Sequence, residues 1–289
     1  NPKVGNKLRM DTSTNALGAN PAGQRELVEC TKLNVGQYPN TYGDNLRDEL
    51  ARLYGMKADN FVVGNGSDEV LDIIMKTFVE PGETVITAHP AYVLHSFFVK
   101  INAGRTVTVD LNDEFQLDVE KINSTQGKLV LLCTPNNPTA NTFRTEDLKA
   151  VIEGADRPVV VDEAYGEYTG SSFLPLVDRY DNLIVTRTFS KAYGLAGMRI
   201  GYMAAGLEMA EAMQKVKIPY SLNMIGERVA IAALKDREFL ERSVRTVDQE
   251  RPFLSKGLSD LGFKVFPSEA NYILFRSDVP SGELTSKLA

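Results

Sequence analysis

Two rhythms of apolar and polar positions run along this chain. Between residues 60 and 205, short apolar runs alternate with stretches of helical spacing. Phe61-Val-Val, Thr84-Val-Ile-Thr, Arg105 to Val109, Lys128 to Cys133, Pro158 to Asp162 and Asn182-Leu-Ile-Val185 read as strands. The last is expected to end at Val185. Before the first strand, Leu46, Leu50 and Leu53 recur at helical spacing from Asp44 to Tyr54, and Gly55 stops that helix. Val70, Leu71, Ile73, Ile74 and Phe78 mark a second helix from Ser67 to about Val79, and a third runs to about Ala103. Strands that alternate with helices predict an α/β fold with a mostly parallel sheet and crossover helices.

The ends follow other patterns. Residues 1 to 25 are polar and rich in Asn, Gly and Ala, which predicts an extended arm with a turn near Leu17-Gly18. After Tyr202 a long helical stretch covers roughly Glu208 to Leu261. Pro219 and Asn223 interrupt it, and Pro252 is placed to kink it. Phe263 to Phe266 and Asn271 to Arg276 read as strands of a smaller domain. The expected division is an arm over 1–35, a large domain over 36–215 and a small, incomplete C-terminal domain over 216–289.

Composition narrows the function. The 289 residues are 43% apolar and 24% charged with net charge −6, which offers no nucleic-acid footprint. No apolar run reaches the ~18 residues of a membrane span, and no signal-like leader opens the chain, which begins at Asn1. Cys30 and Cys133 lie far apart without a paired pattern, as expected of free thiols in a cytoplasmic protein. His89 and His95 lack the i, i+4 spacing of a histidine metal site, so no metal is expected.

The chemistry centres on residues 185–202, Val-Thr-Arg-Thr-Phe-Ser-Lys-Ala-Tyr-Gly-Leu-Ala-Gly-Met-Arg-Ile-Gly-Tyr. Lys191 follows a buried strand, at the sheet edge where α/β proteins bind ligands. An amine there can form a Schiff base with a carbonyl. Thr188, Ser190 and Arg199 are donors of the kind a phosphate needs. A solvated loop lysine and a surface arginine are the alternative for those residues alone. The turn Gly64-Asn-Gly-Ser-Asp-Glu69 opens a helix whose free N–H groups at Ser67 and Asp68 suit phosphate. Its acidic residues also fit plain helix capping. Asp162 ends an apolar strand, so its buried carboxylate needs a partner. Tyr92 follows a strand end, either as core packing or as a stacking face. Two prolines and two asparagines in Thr134-Pro-Asn-Asn-Pro-Thr-Ala140 make a rigid turn.

Thr-x-Ser-Lys-x-x-x-x-x-Gly-x-Arg-x-Gly resembles the lysine motif of the fold-type I pyridoxal-phosphate (PLP) aminotransferases. Phe-Ser-Lys-Ala-Tyr-Gly-Leu-Ala-Gly-Met-Arg is most similar to the histidinol-phosphate aminotransferase branch. Gly-Asn-Gly-Ser-Asp-Glu, Asn-Pro-Thr, Asp-x-x-Tyr and the strand Ala270-Asn-Tyr-Ile-Leu-Phe-Arg resemble further family segments, in the family's order. The resemblance implies a large domain with a mostly parallel central sheet and a smaller α/β domain. It implies that Lys191 bonds PLP and then moves a proton, with Asp162 and Tyr165 as its catalytic partners. Asp162 would face the pyridine nitrogen, and Asn137 and Tyr165 the phenolic oxygen. Tyr92 would stack on the ring, and Ser67, Asp68, Thr188, Ser190 and Arg199 would hold the phosphate. Tyr38 of the Tyr-Pro pair would reach the phosphate of a neighbouring subunit in a homodimer.

The implied reaction moves an amino group from L-histidinol phosphate to a 2-oxo acid, 2-oxoglutarate, in histidine biosynthesis. An aromatic amino-acid aminotransferase, a threonine-phosphate decarboxylase and a non-catalytic PLP-binding protein share many of these features. Three departures stand out. Glu-Asn-Pro is not kept in the arm, and Ala140 replaces a glycine, a strain if its φ is positive. The chain also ends at Ala289, where family members continue to an arginine that grips the substrate carboxylate.

Overall fold

The computed structural model describes residue 10 and residues 12–288. Helix α1 (Pro21–Glu29) opens them. It lies partly inside the stretch predicted as an extended arm. Asn20 accepts a hydrogen bond from the Gly23 N–H, and Pro21 occupies the first helical position, where its missing donor costs nothing. Ala16 and Leu17 form the expected turn just before it.

Helix α2 spans Asp44–Tyr54 and ends at a left-handed Gly55, as predicted. Strand β1 (Phe61–Gly64) leads to α3 (Gly66–Phe78), β2 (Thr84–His89), α4 (Val93–Ile101) and β3 (Arg105–Asp110). Then follow α5 (Val119–Ser124), β4 (Leu129–Cys133), α6 (Thr145–Gly154), β5 (Val159–Asp162), β6 (Leu183–Thr188) and β7 (Gly201–Ala205). These strands form one sheet in the order β1-β7-β6-β5-β4-β2-β3. Only β7 runs against its neighbours.

Side-chain alternation divides the core between the two faces of this sheet. Leu129, Leu131, Val160 and Ile184 pack with Val70, Ile74 and Met213 on one face. Val130, Leu132, Val159, Val161 and Val185 pack with Leu46, Leu50, Leu148 and Val151 on the other. Each fully buried Leu, Ile or Val contributes roughly 1.5–3 kcal/mol relative to exposure.

Strand β6 runs three residues beyond the predicted end at Val185. Polar Thr186, Arg187 and Thr188 stay buried because each finds a partner: Asp162, the pair Glu163 and Glu167, and Ser190, respectively. The long C-terminal helical stretch is three helices, α7 (Leu207–Val216), α8 (Met224–Lys235) and α9 (Arg237–Asp260). Asp236 starts α9 by accepting from the Phe239 N–H, a break the apolar pattern does not show. Pro252 lies inside α9. The α8 residues Val229, Ala230 and Ala233 join the main core.

The last strands are shorter than predicted. Only β8 (Lys264–Val265) and β9 (Phe275–Arg276) pair. The Ser268 hydroxyl lies within hydrogen-bond range of the carbonyls of Ala270 and Tyr272, a local alternative to strand pairing at residues 271–274. Helix α10 (Ser281–Leu288) closes the described chain, and no described helix is long and apolar enough to cross a membrane.

Candidate active site

The parallel strands β4, β5 and β6 end side by side at Cys133, Asp162 and Thr188. A cavity of about 340 Å³ opens over these ends. Ser67, Asp68, Tyr92, Asn137, Asp162, Tyr165, Thr188, Ser190, Lys191 and Arg199 all line it. Ten of the eleven predicted site residues therefore meet in one place. Tyr38 does not line the cavity. It is 83% exposed, with its ring 5.1 Å from that of Tyr220. A larger groove of about 670 Å³ lies on the face to which Arg187 points, and it contains none of the predicted residues.

One end of the cavity is a cradle for an anion. Gly66 has φ +84°, and a Cβ there would meet Arg199 Nη2 at 2.7 Å. A Cβ on Gly201 of β7 would collide with the backbone of Gly66 and Ser67. Two glycines thus let the start of α3 lie flat against β7 and beside the guanidinium. The Thr188 and Ser190 hydroxyls are 3.0 Å apart, and Arg199 Nη1 reaches Ser190 Oγ at 3.5 Å. Arg199 Nη2 also pairs with Asp68 Oδ2 at 2.7 Å. A helix start, two hydroxyls and one arginine are the kind of donor set that suits a phosphate.

Asp162 marks the opposite end. It is 2% exposed and accepts from Thr186 Oγ1 at 2.8 Å and from the Ala164 N–H at 3.2 Å. His95 Nε2 lies 3.1 Å from its other oxygen and must carry the hydrogen to donate to a carboxylate. No arginine or lysine pairs with Asp162 among the described residues. His95 is itself 1% exposed and sets its ring edge-on to Tyr92, centroids 5.5 Å apart.

Between the two ends, Asn137 Nδ2 donates to Tyr165 Oη at 3.4 Å. Burial, then the neighbouring Cys133 and Asp162, push the Tyr165 phenol up. Burial and the Asp68 and Asp162 charges push Tyr92 up to about 12. Lys191 Nζ donates to the Thr12 carbonyl at 3.1 Å and lies 5.2 Å from the Tyr165 ring centroid. Burial holds its amine below the ordinary lysine value, Arg199 acts the same way, and Asp68 and Asp162 oppose them. Ala140 takes the left-handed conformation, φ 66°, where the family pattern has glycine.

Cys133 and the arm residues Thr12 and Ser13 also line the cavity, and His95 and Thr186 hold Asp162; none was among the predicted site residues. Asn15 Nδ2 reaches the carbonyls of Lys191 and Ala192 and Ser243 Oγ, which ties the arm to the lysine loop and to α9. Thr186 was legible in principle, since it shares a strand face with Thr188. His95 lies three residues past Tyr92, which caps the start of α4.

Three features fit PLP: the glycine-lined anion cradle, the buried Asp162 without an arginine or lysine, and the converging donors Asn137 and Tyr165 beside an amine. Among the described residues no cluster of three or more His, Cys, Asp or Glu could hold a metal.

The model of the family "Aminotransferase class I and II" matches residues 6–288. The histidinol-phosphate aminotransferase of Caldanaerobacter subterraneus subsp. tengcongensis is 39% identical over 274 residues, 93% of this chain and 78% of that protein. That of Thermococcus gammatolerans is 35% identical over 93% of this chain and 78% of its own length. Among solved structures, the Sinorhizobium meliloti histidinol-phosphate aminotransferase in complex with pyridoxal-5'-phosphate superposes with TM-score 0.85 at 29% identity. It covers 91% of this chain and 74% of that one. The Clostridium acetobutylicum enzyme gives TM-score 0.87 at 27% identity, over 96% and 86%. With its lysine, carboxylate and phosphate cradle in one cavity, the chain belongs to the class I and II aminotransferase family.

Proposed function

We propose that this chain is a PLP-dependent aminotransferase that moves the amino group of L-histidinol phosphate to 2-oxoglutarate in histidine biosynthesis. The observation that carries it is the meeting of Lys191, Asp162, Asn137, Tyr165 and the phosphate donors around one cavity. The choice of donor rests on the similarity to histidinol-phosphate aminotransferases.

PLP, when bound, supplies a carbonyl carbon for the amine and an electron-withdrawing ring. The chain's own residues would do the rest. Ser67, Thr188, Ser190 and Arg199 would clamp the phosphate, and Tyr92 would cover the ring. Asp162, fixed by Thr186 and His95, sets a carboxylate at one end of the cavity and would keep a ring nitrogen protonated. Asn137 and Tyr165 would donate to the phenolic oxygen. Burial keeps a larger fraction of Lys191 as neutral amine, the form that attacks a carbonyl and accepts a proton. Proton movement at the substrate carbon therefore falls to Lys191 Nζ.

The protein is further proposed to work as a cytoplasmic homodimer. Exposed Tyr38 and Tyr220 pack ring against ring, and Tyr38 would reach the partner's phosphate. A visible spectrum of the purified protein with PLP tests the reading. Histidinol phosphate is expected to move the cofactor's visible band to shorter wavelength. A band that responds to phenylalanine alone would reassign the donor, and carbon dioxide release would point to a decarboxylase. Absence of any band with added PLP would overturn the reading.

A further inference from the structure

Lys217 follows the last turn of α7 and is 2% exposed. Ala210 and Met213 on α7 are buried against the sheet, and position 217 continues their row. An apolar residue is therefore the expected occupant. The lysine instead turns its amine onto the loop that follows, donating to Ser221 Oγ at 2.7 Å and to the Ile218 carbonyl at 3.3 Å. Among the described residues no carboxylate lies within 4.0 Å of it. Burial pushes its amine down, and Glu69 on α3 opposes this. Nothing in the proposed reaction uses this group, and burying it costs free energy.

The loop closed by Lys217 leads to the phosphate cradle. The Ser221 carbonyl accepts from Asn65 Nδ2, and Asn223 Nδ2 donates to Asn65 Oδ1 at 3.1 Å. Both ends of the Asn65 amide are thus held by the loop. Asn65 is the residue before Gly66 and Ser67, and its own N–H donates to Glu69 Oε2. Asn223 also reaches the Met198 carbonyl, beside Arg199, and starts α8 by accepting from the Gly226 N–H. The loop carries Tyr220 in a left-handed conformation, φ 61°, held by its N–H on the Thr41 carbonyl. Such a conformation persists only where contacts over-determine it.

We propose that Lys217 is a positioning residue: through Ser221 and Asn65 it fixes the turn at residues 66–68 that receives the cofactor phosphate. The inference rests on the PLP reading above. It explains why a core position holds a lysine, since the ammonium ties a strained loop to a backbone turn that must be preformed.

The test compares equilibrium binding of PLP and of pyridoxal, which lacks the phosphate, to wild type, Lys217→Met and Ser221→Ala. Binding is followed by cofactor absorbance, and thermal melts confirm folding. Lys217→Met is expected to weaken PLP about tenfold and leave pyridoxal unchanged, the scale of one lost charge-assisted hydrogen bond. Ser221→Ala, which keeps the charge, is expected to act in the same direction by a smaller factor. It also keeps the proposal testable should Lys217→Met fail to fold. Equal weakening of PLP and pyridoxal would overturn the proposal, since that is what general loosening does. So would an effect of Lys217→Met that Ser221→Ala does not share, which would make the role one of charge alone. Wild-type protein that binds neither compound would overturn the PLP reading itself, and the inference with it.

Discussion

Asp162 and Glu163 are consecutive residues at the end of one strand, and each is 2% exposed. They point to opposite faces of the sheet and solve the problem of burial differently. Glu163 accepts from Arg187 Nε and Nη2, at 2.9 and 2.7 Å, and from Ser172 Oγ and the Phe173 N–H. Arg187 completes its fork on Glu167 at 2.7 Å. There the carboxylate charge is met by the protein's own cation. Asp162 has the Thr186 hydroxyl, one backbone N–H and the His95 ring, and it faces a cavity. A buried carboxylate left without an arginine or lysine and aimed at open space is set up for a cationic group on a ligand. Burial alone therefore does not separate structural from functional charges. The partner list does.

The comparison fixes what substitutions should do. Lys191→Ala, which removes the reactive amine, is expected to lower turnover about a thousandfold or more and leave the melting temperature nearly unchanged. Retained turnover would sink the assigned chemistry. Asp162→Asn is expected to cut turnover roughly a hundredfold through lost charge stabilisation, with little loss of stability. Arg187→Met should do the reverse. It leaves Glu163 and Glu167 buried without a cation and costs about 3–5 kcal/mol of stability, read by urea unfolding. If Asp162→Asn destabilised the fold as much as Arg187→Met, the contrast between the two carboxylates would fail.

Much of this was legible in the chain because strand ends and glycine turns are local. The apolar run before Asp162 places its carboxylate at a sheet edge. The spacing of Gly64, Gly66 and Ser67 announces a helix start open to an anion. What was not legible depends on partners distant in sequence. Arg187 continues a strand only because Glu163 and Glu167 wait for it, so the apolar pattern places the end of β6 too early. His95 meets Asp162 across 67 positions, and no spacing rule links them. Tyr38 packs on Tyr220, and its predicted role lies in a second subunit from the outset.

The comparison also reaches Lys191, whose amine sits between the charges of Asp68, Asp162 and Arg199. Burial and Arg199 favour its neutral form, while the carboxylates favour the ammonium. Asp68→Asn removes one carboxylate and releases Arg199 from its ion pair. Both changes favour the neutral amine. In cofactor-free protein, acylation of Lys191 followed by mass spectrometry against pH should therefore shift to lower pH than in wild type. An upward shift would overturn this assignment, since neither the lost carboxylate nor an unpaired Arg199 favours the ammonium.

The smallest expected effect concerns strain in the turn that aims Asn137. Ala140 is fully buried at φ 66°, with its N–H on the Asn136 carbonyl and its own carbonyl taking the Glu269 N–H, both at 2.7 Å. A left-handed alanine costs roughly 1–2 kcal/mol, which Ala140→Gly would relieve. Glycine would give back about 0.5–1 kcal/mol through unfolded-chain entropy. Losing the buried methyl costs about 0.8 kcal/mol more. The terms nearly cancel, so Ala140→Gly is expected to change stability by less than about 1 kcal/mol, a shift under ~4 °C in a thermal melt. PLP affinity should not change, because the Pro90 carbonyl and the Tyr272 hydroxyl hold the turn at Asn136 whichever residue occupies position 140. A fall in PLP affinity at unchanged stability would place the strained alanine with Asp162, among the groups set for the ligand, and not with Glu163 in the scaffold.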